Sequence, residues 1–238
     1  MRINKYLSEM GVCSKRQADR WIQAGQVTVN GKVAYLGQLV NSLDQIVVNG
    51  HVVGDKPESR YLLYHKPVGV VCTNDQAVTG NLVDALGLSQ RVFAVGRLDK
   101  ASEGLLILTN DGEIFNKILR AENAHEKEYI VTVDQPITDT FLSNMASGVE
   151  ILETITQACS VQKLSAKVFK IILTQGLNLQ IRRMCKVLGY RVLRLQRIRI
   201  MNLQLGELEA GQYRDLSIEE KGLLDQLLLE SSSHSNQD

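Results

Sequence analysis

The hydrophobic pattern of the first fifty residues predicts two helices followed by a small sheet. Apolar residues at helical spacing mark the first helix: Ile3, Tyr6, Leu7 and Met10. Gly11 can end that helix, and the capping-box pattern from Ser14 to Gln17 begins a second one, which Gly25 ends. Four short β-type runs follow, joined in pairs by Asn-Gly: 27–29 with 32–34, and 46–48 with 51–53. Because Asn-Gly between such runs favours a tight turn, both pairs are predicted to be antiparallel hairpins.

Polar, turn-forming residues separate this module from a longer region of mixed strands and helices. Residues 54–59 combine Gly and Pro with polar side chains and are predicted to be a linker. Strand candidates beyond it are the apolar runs 61–64, 68–72, 92–95, 105–108, 129–133 and 168–173. Helical patterns begin near Asp111, Phe141, Gln180 and Ser217. We therefore expect a small domain at 1–53, a larger α+β domain at 60–230 and a disordered tail at 231–238.

The composition is that of a globular protein. Of 238 residues, 44% are hydrophobic, and no run approaches the roughly eighteen apolar residues that a transmembrane helix needs. The first residues lack the apolar core of a secretory signal, so a cytoplasmic location is expected. The four cysteines are scattered and form no C-x-x-C pair, which predicts neither a zinc site nor a disulfide framework.

The net charge of +1 hides a strongly basic stretch. Between Thr154 and Gly206 there are ten Lys or Arg residues and no Asp or Glu, whereas residues 207–238 hold eight acids and two bases. A basic stretch of this length attracts phosphate backbones. We therefore expect contact with RNA or DNA, rather than a solvated basic face that meets no partner.

One short acidic residue, Asp99, carries the strongest chemical signal. It lies between Arg97 and Lys100 in a glycine-bracketed segment, 96–104, that separates two predicted buried strands. Loops on a rigid scaffold often present catalytic groups, and nearby cations favour the ionised carboxylate, which can act as a nucleophile or a base. Taken alone, the segment is more typical of a structural ion pair, and only the rest of the chain favours chemistry.

The first module presents cations where they would attract an anion. Lys15 and Arg16 occupy the first turn of the second predicted helix, where the helix dipole disfavours positive charge unless an anion approaches. Three more cations of the module are RNA-binding candidates: Arg2, Lys5 and Arg20. The runs 2–7, 14–18, 25–31 and 44–50 resemble the small S4-like RNA-binding domain that is named after a ribosomal protein. The resemblance covers nearly the whole module and implies that its cations bind RNA.

Five blocks of the longer region resemble, in order, motifs of the RsuA/RluF-type RNA pseudouridine synthases. The blocks are His65 to Gly69, Gly96 to Asp99, Glu126 to Tyr129, Gly176 to Cys185 and Leu193 to Arg197. The resemblance spans residues 1 to 216 and is nearest to the RluF branch, through Lys100, 125–129 and 199–202. Ala101 and Leu179 depart from that branch, and a basic carboxyl-terminal tail is absent. The implied fold is α+β: a small helix-helix-sheet domain followed by a synthase domain at 60–230, built on a mixed, mostly antiparallel sheet with flanking helices.

The resemblance also implies roles for individual residues. Asp99 is implied as the catalytic carboxylate, Tyr129 as the ring that stacks on a flipped base, and Arg182 as the partner that pairs with Asp99. Residues implied to line or position the substrate pocket are Leu195, Arg97 and Lys127. Arg183 and Lys186 share the helix of Arg182 and are expected to meet RNA phosphates. Whether Asp99 attacks the base or deprotonates the ribose stays open.

The implied reaction detaches uracil from its ribose, rotates the base and rejoins it through a carbon atom. It involves no redox change and consumes no water, so neither a cofactor nor a metal is expected. The implied substrate is ribosomal RNA, with the large-subunit RNA favoured, and a transfer RNA stays open as a second substrate. No membrane partner is expected, and nothing in the sequence demands more than a monomer.

Two functions of other classes stay open. A non-catalytic RNA-binding factor for ribosome assembly could keep the same fold, but it would have no physical reason to keep Asp99, Tyr129 and Arg182 together. A hydrolase that cuts a glycosidic bond would need a second carboxylate. Glu103 and Glu113 are the candidates, and nothing in the sequence fixes either near Asp99.

Overall fold

The structure is a computed structural model that describes residues 1–119 and 125–234. Contacts divide the chain into two units. The first comprises Met1–Arg60 with the short segments Ser89–Val92 and Asn110–Gly112, and the second comprises Tyr61–Leu88, Phe93–Thr109 and the chain from Glu113 onward. In these described ranges, no helix has both the length and the apolar character needed to cross a bilayer.

The first unit folds into two helices and a sheet, as its hydrophobic pattern predicts. Its elements are α1 (Ile3–Glu9), α2 (Lys15–Gln23), β1 (Val27–Val29), β2 (Lys32–Val33), β3 (Ile46–Val48) and β4 (His51–Val52). The Ser14 hydroxyl accepts the Gln17 amide at 3.1 Å, so the predicted cap begins α2. The strands pair antiparallel in the order β2-β1-β3-β4, with Asn30 and Asn49 at positive φ in the two predicted turns.

Nearly all remaining elements lie in the second unit. The strands are β5 (Tyr61–Lys66), β6 (Phe93–Val95), β7 (Glu103–Thr109), β8 (Lys127–Val133), β9 (Glu150–Ile151), β10 (Thr154–Ile155), β11 (Ser160–Ser165), β12 (Val168–Leu173), β13 (Val192–Ile200), β14 (Leu203–Gln204) and β15 (Tyr213–Asp215). The helices are α3 (Leu82–Leu86), α4 (Gly112–Leu119), α5 (Asp139–Ser147), α6 (Gln180–Val187) and α7 (Ile218–His234).

One large sheet organises the second unit. Its strand order is β11-β12-β8-β13-β7-β5-β15, with β6 added to β7 and β14 added to β13. Strands β13 and β7 run parallel, and the other neighbours pair antiparallel. This confirms the expected α+β fold with a mixed, mostly antiparallel sheet.

Two apolar clusters pack the helices against this sheet. One includes Val131 on β8 and Phe169 on β12 and joins them to Met184 on α6. The other includes Ile107 on β7 and joins it to Leu224 on α7. Burying each such side chain contributes roughly 1.5–3 kcal/mol, so α6 is held firmly by its apolar face while its polar face stays available for other contacts.

The strand predicted at 68–72 is a turn and loop instead. Lys66 Nζ donates to Pro67 O at 2.9 Å and to Val70 O at 2.8 Å, and Gly69 adopts a φ of 96°. The carbonyls of Pro67 and Val70 accept hydrogen bonds from this ammonium group, so they do not take part in a strand ladder.

The hydrophobic pattern also missed several elements, notably α3, β11 and β13. In β13 the alternation of apolar and polar residues changes phase between Gln196 and Arg197, and β11 has only two apolar residues, three positions apart, so neither run shows an unbroken strand period. Helix α7 continues to His234, beyond the predicted start of a tail at 231, because each added residue of a formed helix gains one hydrogen bond. The last part of that predicted tail, 235–238, lies outside the described residues.

The parallel pairing of β7 with β13 depends on the absence of a side chain at Gly104. This residue has a φ of 111°, and a Cβ there would overlap the backbone of Arg197. We expect Gly104→Ala to lower the free energy of unfolding by about 3 kcal/mol or more, measured by urea denaturation. Gly222→Ala is the control, because that glycine lies in α7 with open space around it and its replacement should stabilise the protein by about 1 kcal/mol. Equal midpoints for the two variants would contradict this account of the strand pairing.

Candidate active site

Asp99 lies in the loop that joins β6 to β7, as the sequence predicts. Gly96 enters the loop with a φ of 81°, and the Ser102 amide donates to Asp99 O at 3.0 Å and closes a turn. The Asp99 side chain is half-buried, and within the described part of the chain it forms no ion pair. The structural ion pair that the local pattern suggests is therefore not formed, and the carboxylate is not committed to a protein partner.

Arg182 reaches this loop from α6 but does not pair with Asp99. Its Nη2 donates to Ala101 O at 2.9 Å and to Ser102 Oγ at 3.1 Å, and its Nη1 donates to Val192 O at 3.5 Å. The predicted Asp99–Arg182 ion pair is therefore wrong for this structure. The guanidinium binds acceptors that lie two and three residues after Asp99, so it holds the loop rather than the carboxylate.

The segment that follows β5 supports the same loop through its backbone. The Gly69 amide donates to Lys100 O at 2.8 Å, and the Leu98 amide donates to Cys72 Sγ at 3.4 Å. Both residues that flank Asp99 are thus bound to this segment. The early motif block at 65–69 and the Asp99 block, which are separate in sequence, meet here.

Four paired positions form a row across the sheet beneath the loop. Lys66 on β5 pairs with Gly104 on β7, Gly104 pairs with Arg197 on β13, and Arg197 pairs with Tyr129 on β8. Residues that pair across neighbouring strands face the same side of a sheet. Tyr129, which is half-buried, therefore shares a face with the two cations. The row brings three of the sequence motif blocks together with the strand that leaves the Asp99 loop.

Lys66 and Arg197 are the residues of this site that the sequence reasoning did not single out. Lys66 is 0% exposed and Arg197 is 3% exposed. Burial lowers the pKa of the Lys66 ammonium group, and the negative charges of Asp99 and Glu103 act in the opposite direction. The available signal was a basic residue inside a predicted apolar strand or block, because Lys and Arg are seldom fully buried without a specific contact.

Lys127 lies two positions before Tyr129 on β8 and so faces the same side of the sheet. Its Nζ donates to His125 O at 2.9 Å. Burial lowers the pKa of the Lys127 ammonium group, and the positive charge of Arg197 lowers it further. The structure therefore places this substrate-pocket candidate beside the buried cations.

The other two pocket candidates are placed differently. Leu195 lies two positions before Arg197 on β13, but it is 6% exposed and packs in the apolar cluster that includes Val131 and Met184. It supports the site from the core and offers little open surface. The Arg97 side chain is exposed at the start of the loop, and its carbonyl accepts from Arg197 Nη1 at 3.5 Å.

The predicted RNA-binding residues fall into two groups. On the first unit five cations are exposed: Arg2, Lys5, Lys15, Arg16 and Arg20. Lys5 forms an i,i+4 ion pair with Glu9 at 3.5 Å, and the first turn of α2 contains no acidic residue. On α6, Lys186 is exposed, whereas Arg183 Nε donates to Asn178 O at 3.0 Å. Lys186 therefore offers a more accessible charge than Arg183.

No group of three or more His, Cys, Asp or Glu side chains in the described ranges is arranged to hold a metal ion. The four cysteines are free thiols, of which Cys13 and Cys185 are buried. Burial raises the pKa of the Cys185 thiol to about 12, so this group stays protonated at neutral pH.

Two protein families match this sequence. Residues 60–186 match the RNA pseudouridylate synthase family, and residues 1–46 match the S4 domain. The first match contains Asp99, Tyr129 and Arg182, and the second contains the exposed cations of α1 and α2.

Known proteins similar to this chain agree with these matches. The dual-specificity RNA pseudouridine synthase RluF of Escherichia coli (strain K12) is 49% identical over 98% of this chain and 81% of its own length. The ribosomal large subunit pseudouridine synthase B of Pseudomonas aeruginosa is 34% identical over 94% of this chain and 61% of its own. A crystal structure of a pseudouridylate synthase matches with a TM-score of 0.66 and 26% identity, covering 95% of this chain and 99% of that one. The chain therefore belongs to the family of RNA pseudouridine synthases, isomerases that convert uridine to pseudouridine in RNA.

Proposed function

We propose that this protein converts uridine to pseudouridine in the large-subunit ribosomal RNA, with Asp99 as its catalytic carboxylate. The observation that carries the proposal is the placement of Asp99. It lies half-buried and without an ion pair, among the described residues, in a loop that main-chain and arginine contacts hold above the row containing Tyr129. The similarity to the ribosomal large subunit pseudouridine synthase B of Pseudomonas aeruginosa, 34% identical over 94% of this chain, supports this RNA class.

The reaction replaces the bond from ribose C1′ to a uracil nitrogen with a bond from C1′ to a uracil carbon. The bond between uracil N1 and ribose C1′ breaks, the base turns, and C5 bonds to C1′ while the C5 proton leaves and N1 gains a proton. Atoms and electrons balance without an oxidant or water. The Asp99 carboxylate can supply an electron pair to the base or take a proton from the ribose, and either step needs the carboxylate to be ionised.

Tyr129 is proposed to bind the base during this rotation. The target uridine must leave its stack to reach a half-buried carboxylate, which costs a few kcal/mol. An aromatic ring that stacks on the freed base offsets part of this cost, by roughly 1–3 kcal/mol. Tyr129 lies on the same face as Arg197 and Lys66, and it is half-buried rather than sealed in the core.

Arg182 is proposed to act on the loop and not directly on the carboxylate. Its two contacts with Ala101 O and Ser102 Oγ hold the turn in which Asp99 lies. Lys127 and Arg97 are proposed to position the substrate or the loop, and Leu195 to support the pocket from the core.

The RNA itself is proposed to be bound by the exposed cations of the S4 domain together with Lys186, and less by Arg183. We further propose that the protein acts as a monomer in the cytoplasm and that it accepts a transfer RNA as a second substrate. The Escherichia coli relative is named a dual-specificity enzyme, which is compatible with two substrates. The proposed domain limits are 1–53, 54–59 and 60–230.

A non-catalytic factor for ribosome assembly is the second candidate function. It would bind the same RNA through the same cations, but it would leave uridine unchanged. The geometry supports catalysis over this alternative because a binder has no need for an uncommitted, half-buried carboxylate in a loop that arginine and main-chain contacts hold in place.

Mapping of pseudouridines in cells that lack this protein tests the proposal. We expect at least one large-subunit ribosomal pseudouridine to disappear and to return when the wild-type gene is restored, with transfer RNA mapped in parallel. An unchanged pseudouridine map in both RNA classes would contradict the proposed function and favour the assembly factor.

A further inference from the structure

Arg197 is a buried arginine that lacks a carboxylate partner among the described residues. It is 3% exposed and lies in the middle of the sheet. Two other cations lie close enough to feel its positive charge, which lowers the pKa of both Lys66 and Lys127. Burying an unpaired guanidinium beside two ammonium groups is costly, so the position calls for a specific function.

The donors of Arg197 bind main-chain carbonyls on both sides of Asp99. Its Nε donates to Leu105 O at 2.8 Å, and its Nη1 donates to Arg97 O at 3.5 Å. Arg97 lies two residues before Asp99, and Leu105 lies on the strand that leaves the loop. One rigid, planar group thus joins the start of the loop to the strand after it.

The backbone of Arg197 is itself held in place at Gly104. The close pairing of these two residues leaves no room for a Cβ at position 104. The guanidinium therefore extends from a backbone position that close strand pairing holds in place. Arg182 binds the end of the loop, at Ala101 and Ser102, whereas Arg197 binds Arg97 near its start and Leu105 on the strand that follows it.

We propose that Arg197 is a positioning residue, which fixes the height of Asp99 above the sheet by joining the start of its loop to the strand that follows the loop. The proposal rests on the proposed function, in which Asp99 must meet the junction of sugar and base. A displacement of about 1 Å at such a group can lower a rate by about 10²-fold, so a two-point contact of this kind affects catalysis directly.

A contact with RNA phosphate does not account for Arg197. Its Nη2 is buried and lacks a hydrogen-bond partner among the described residues, and Nε and Nη1 bind carbonyls. An RNA phosphate would have to displace part of the sheet to reach this side chain. Packing alone does not explain Arg197 either, because an apolar side chain would fill the same space without the cost of a buried charge.

Arg197→Lys and Arg197→Met test the proposal in the full-length chain. Lysine keeps the charge but its single ammonium group lacks the planar fork, and methionine keeps much of the volume and no donor. The assay is single-turnover release of tritium from uridine labelled at C5, in a large-subunit ribosomal RNA transcript, with RNA affinity measured by filter binding. We expect Arg197→Met to lower the rate about 10²-fold, Arg197→Lys to restore part of that loss, and both to leave RNA affinity nearly unchanged.

Arg214→Met is the control for the general effect of losing an arginine. Arg214 forms a bidentate ion pair with Glu220, at 2.7 Å for both contacts, near the sheet edge formed by β15. This variant should lose some stability and keep the wild-type rate.

Three outcomes would overturn the assignment of Arg197. One is a wild-type single-turnover rate in both Arg197→Lys and Arg197→Met when both variants are folded. Another is a loss of RNA affinity while the single-turnover rate stays unchanged. The third is unfolding of both variants, seen as loss of near-ultraviolet circular dichroism, which would leave Arg197 a purely structural role. Wild-type protein that releases no tritium from any uridine RNA would instead contradict the proposed function.

Discussion

Asp99→Asn is expected to lower the rate of pseudouridine formation by at least about 10⁴-fold while RNA affinity stays nearly unchanged. The amide has almost the shape of the carboxylate, but it cannot supply the electron pair or accept the proton that cleavage of the bond to the ribose requires. The structure adds a reason to expect a folded variant. Within the described residues Asp99 has no ion pair, so the substitution leaves no cation without its partner.

Glu103→Gln is the matched control for Asp99→Asn. Glu103 begins the strand that leaves the same loop, and its carboxylate forms an ion pair with the exposed side chain of Arg194. Its loss should change the rate by less than about tenfold, because the partner side chain, Arg194, is largely exposed and solvent weakens the pair. Full activity of Asp99→Asn would show that this carboxylate is not the catalytic one. An equal loss in both variants would instead favour a pair of acting carboxylates, as in a hydrolase.

Neutralising three cations of α2 is expected to weaken RNA binding roughly 10- to 10²-fold at moderate salt. Lys15, Arg16 and Arg20 are exposed, and their helix begins without an acidic residue. A change of all three to Gln should also reduce the slope of log affinity against log salt by about 2 to 3, since each phosphate contact contributes roughly 0.7–0.9. Filter binding over a range of salt concentrations measures both quantities.

A double substitution elsewhere controls for the change in net charge. Arg214 and Lys221 lie in the acid-rich stretch 207–238 and form ion pairs with Glu220 and Asp225. Their change to Gln should leave the salt slope as it is in the wild type. If the α2 variant also kept the wild-type slope, the S4 domain would have no electrostatic role in RNA binding.

Local chemistry explains which parts of the fold the sequence predicts well. The caps at Ser14 and Ser217, the Asn-Gly turns of the first unit and the apolar face of α6 act over a few residues, and the structure contains each of them. The strand predicted at 68–72 fails partly for a local reason, because the buried ammonium group of Lys66 binds the carbonyls of Pro67 and Val70. It also fails for a non-local reason, because the Gly69 amide donates to Lys100 O in the distant Asp99 loop. The hydrophobic pattern does not predict strand β13, because partners on distant strands hold its arginines in place.

The sequence likewise predicts only some features of the candidate site, and the others depend on the folded structure. The sequence predicts a carboxylate in a tight loop between two strands, and its motifs point to Tyr129 and Arg182 as companions. It does not determine which acceptors Arg182 binds, and the expected ion pair with Asp99 is replaced by contacts with Ala101 and Ser102. A guanidinium binds whichever acceptors the packing of α6 against the sheet brings within reach, and sequence spacing carries no such distance.

Three features follow from the sequence alone: two domains, an acidic residue in a glycine-bracketed loop, and a basic stretch at 154–206 that contains no acid and suits RNA. The row that Lys66, Gly104, Arg197 and Tyr129 form beneath that loop is visible only in the folded protein. Strand pairing brings together residues that are far apart in the chain, and Arg197 becomes buried only once β5, β7, β13 and β8 lie side by side.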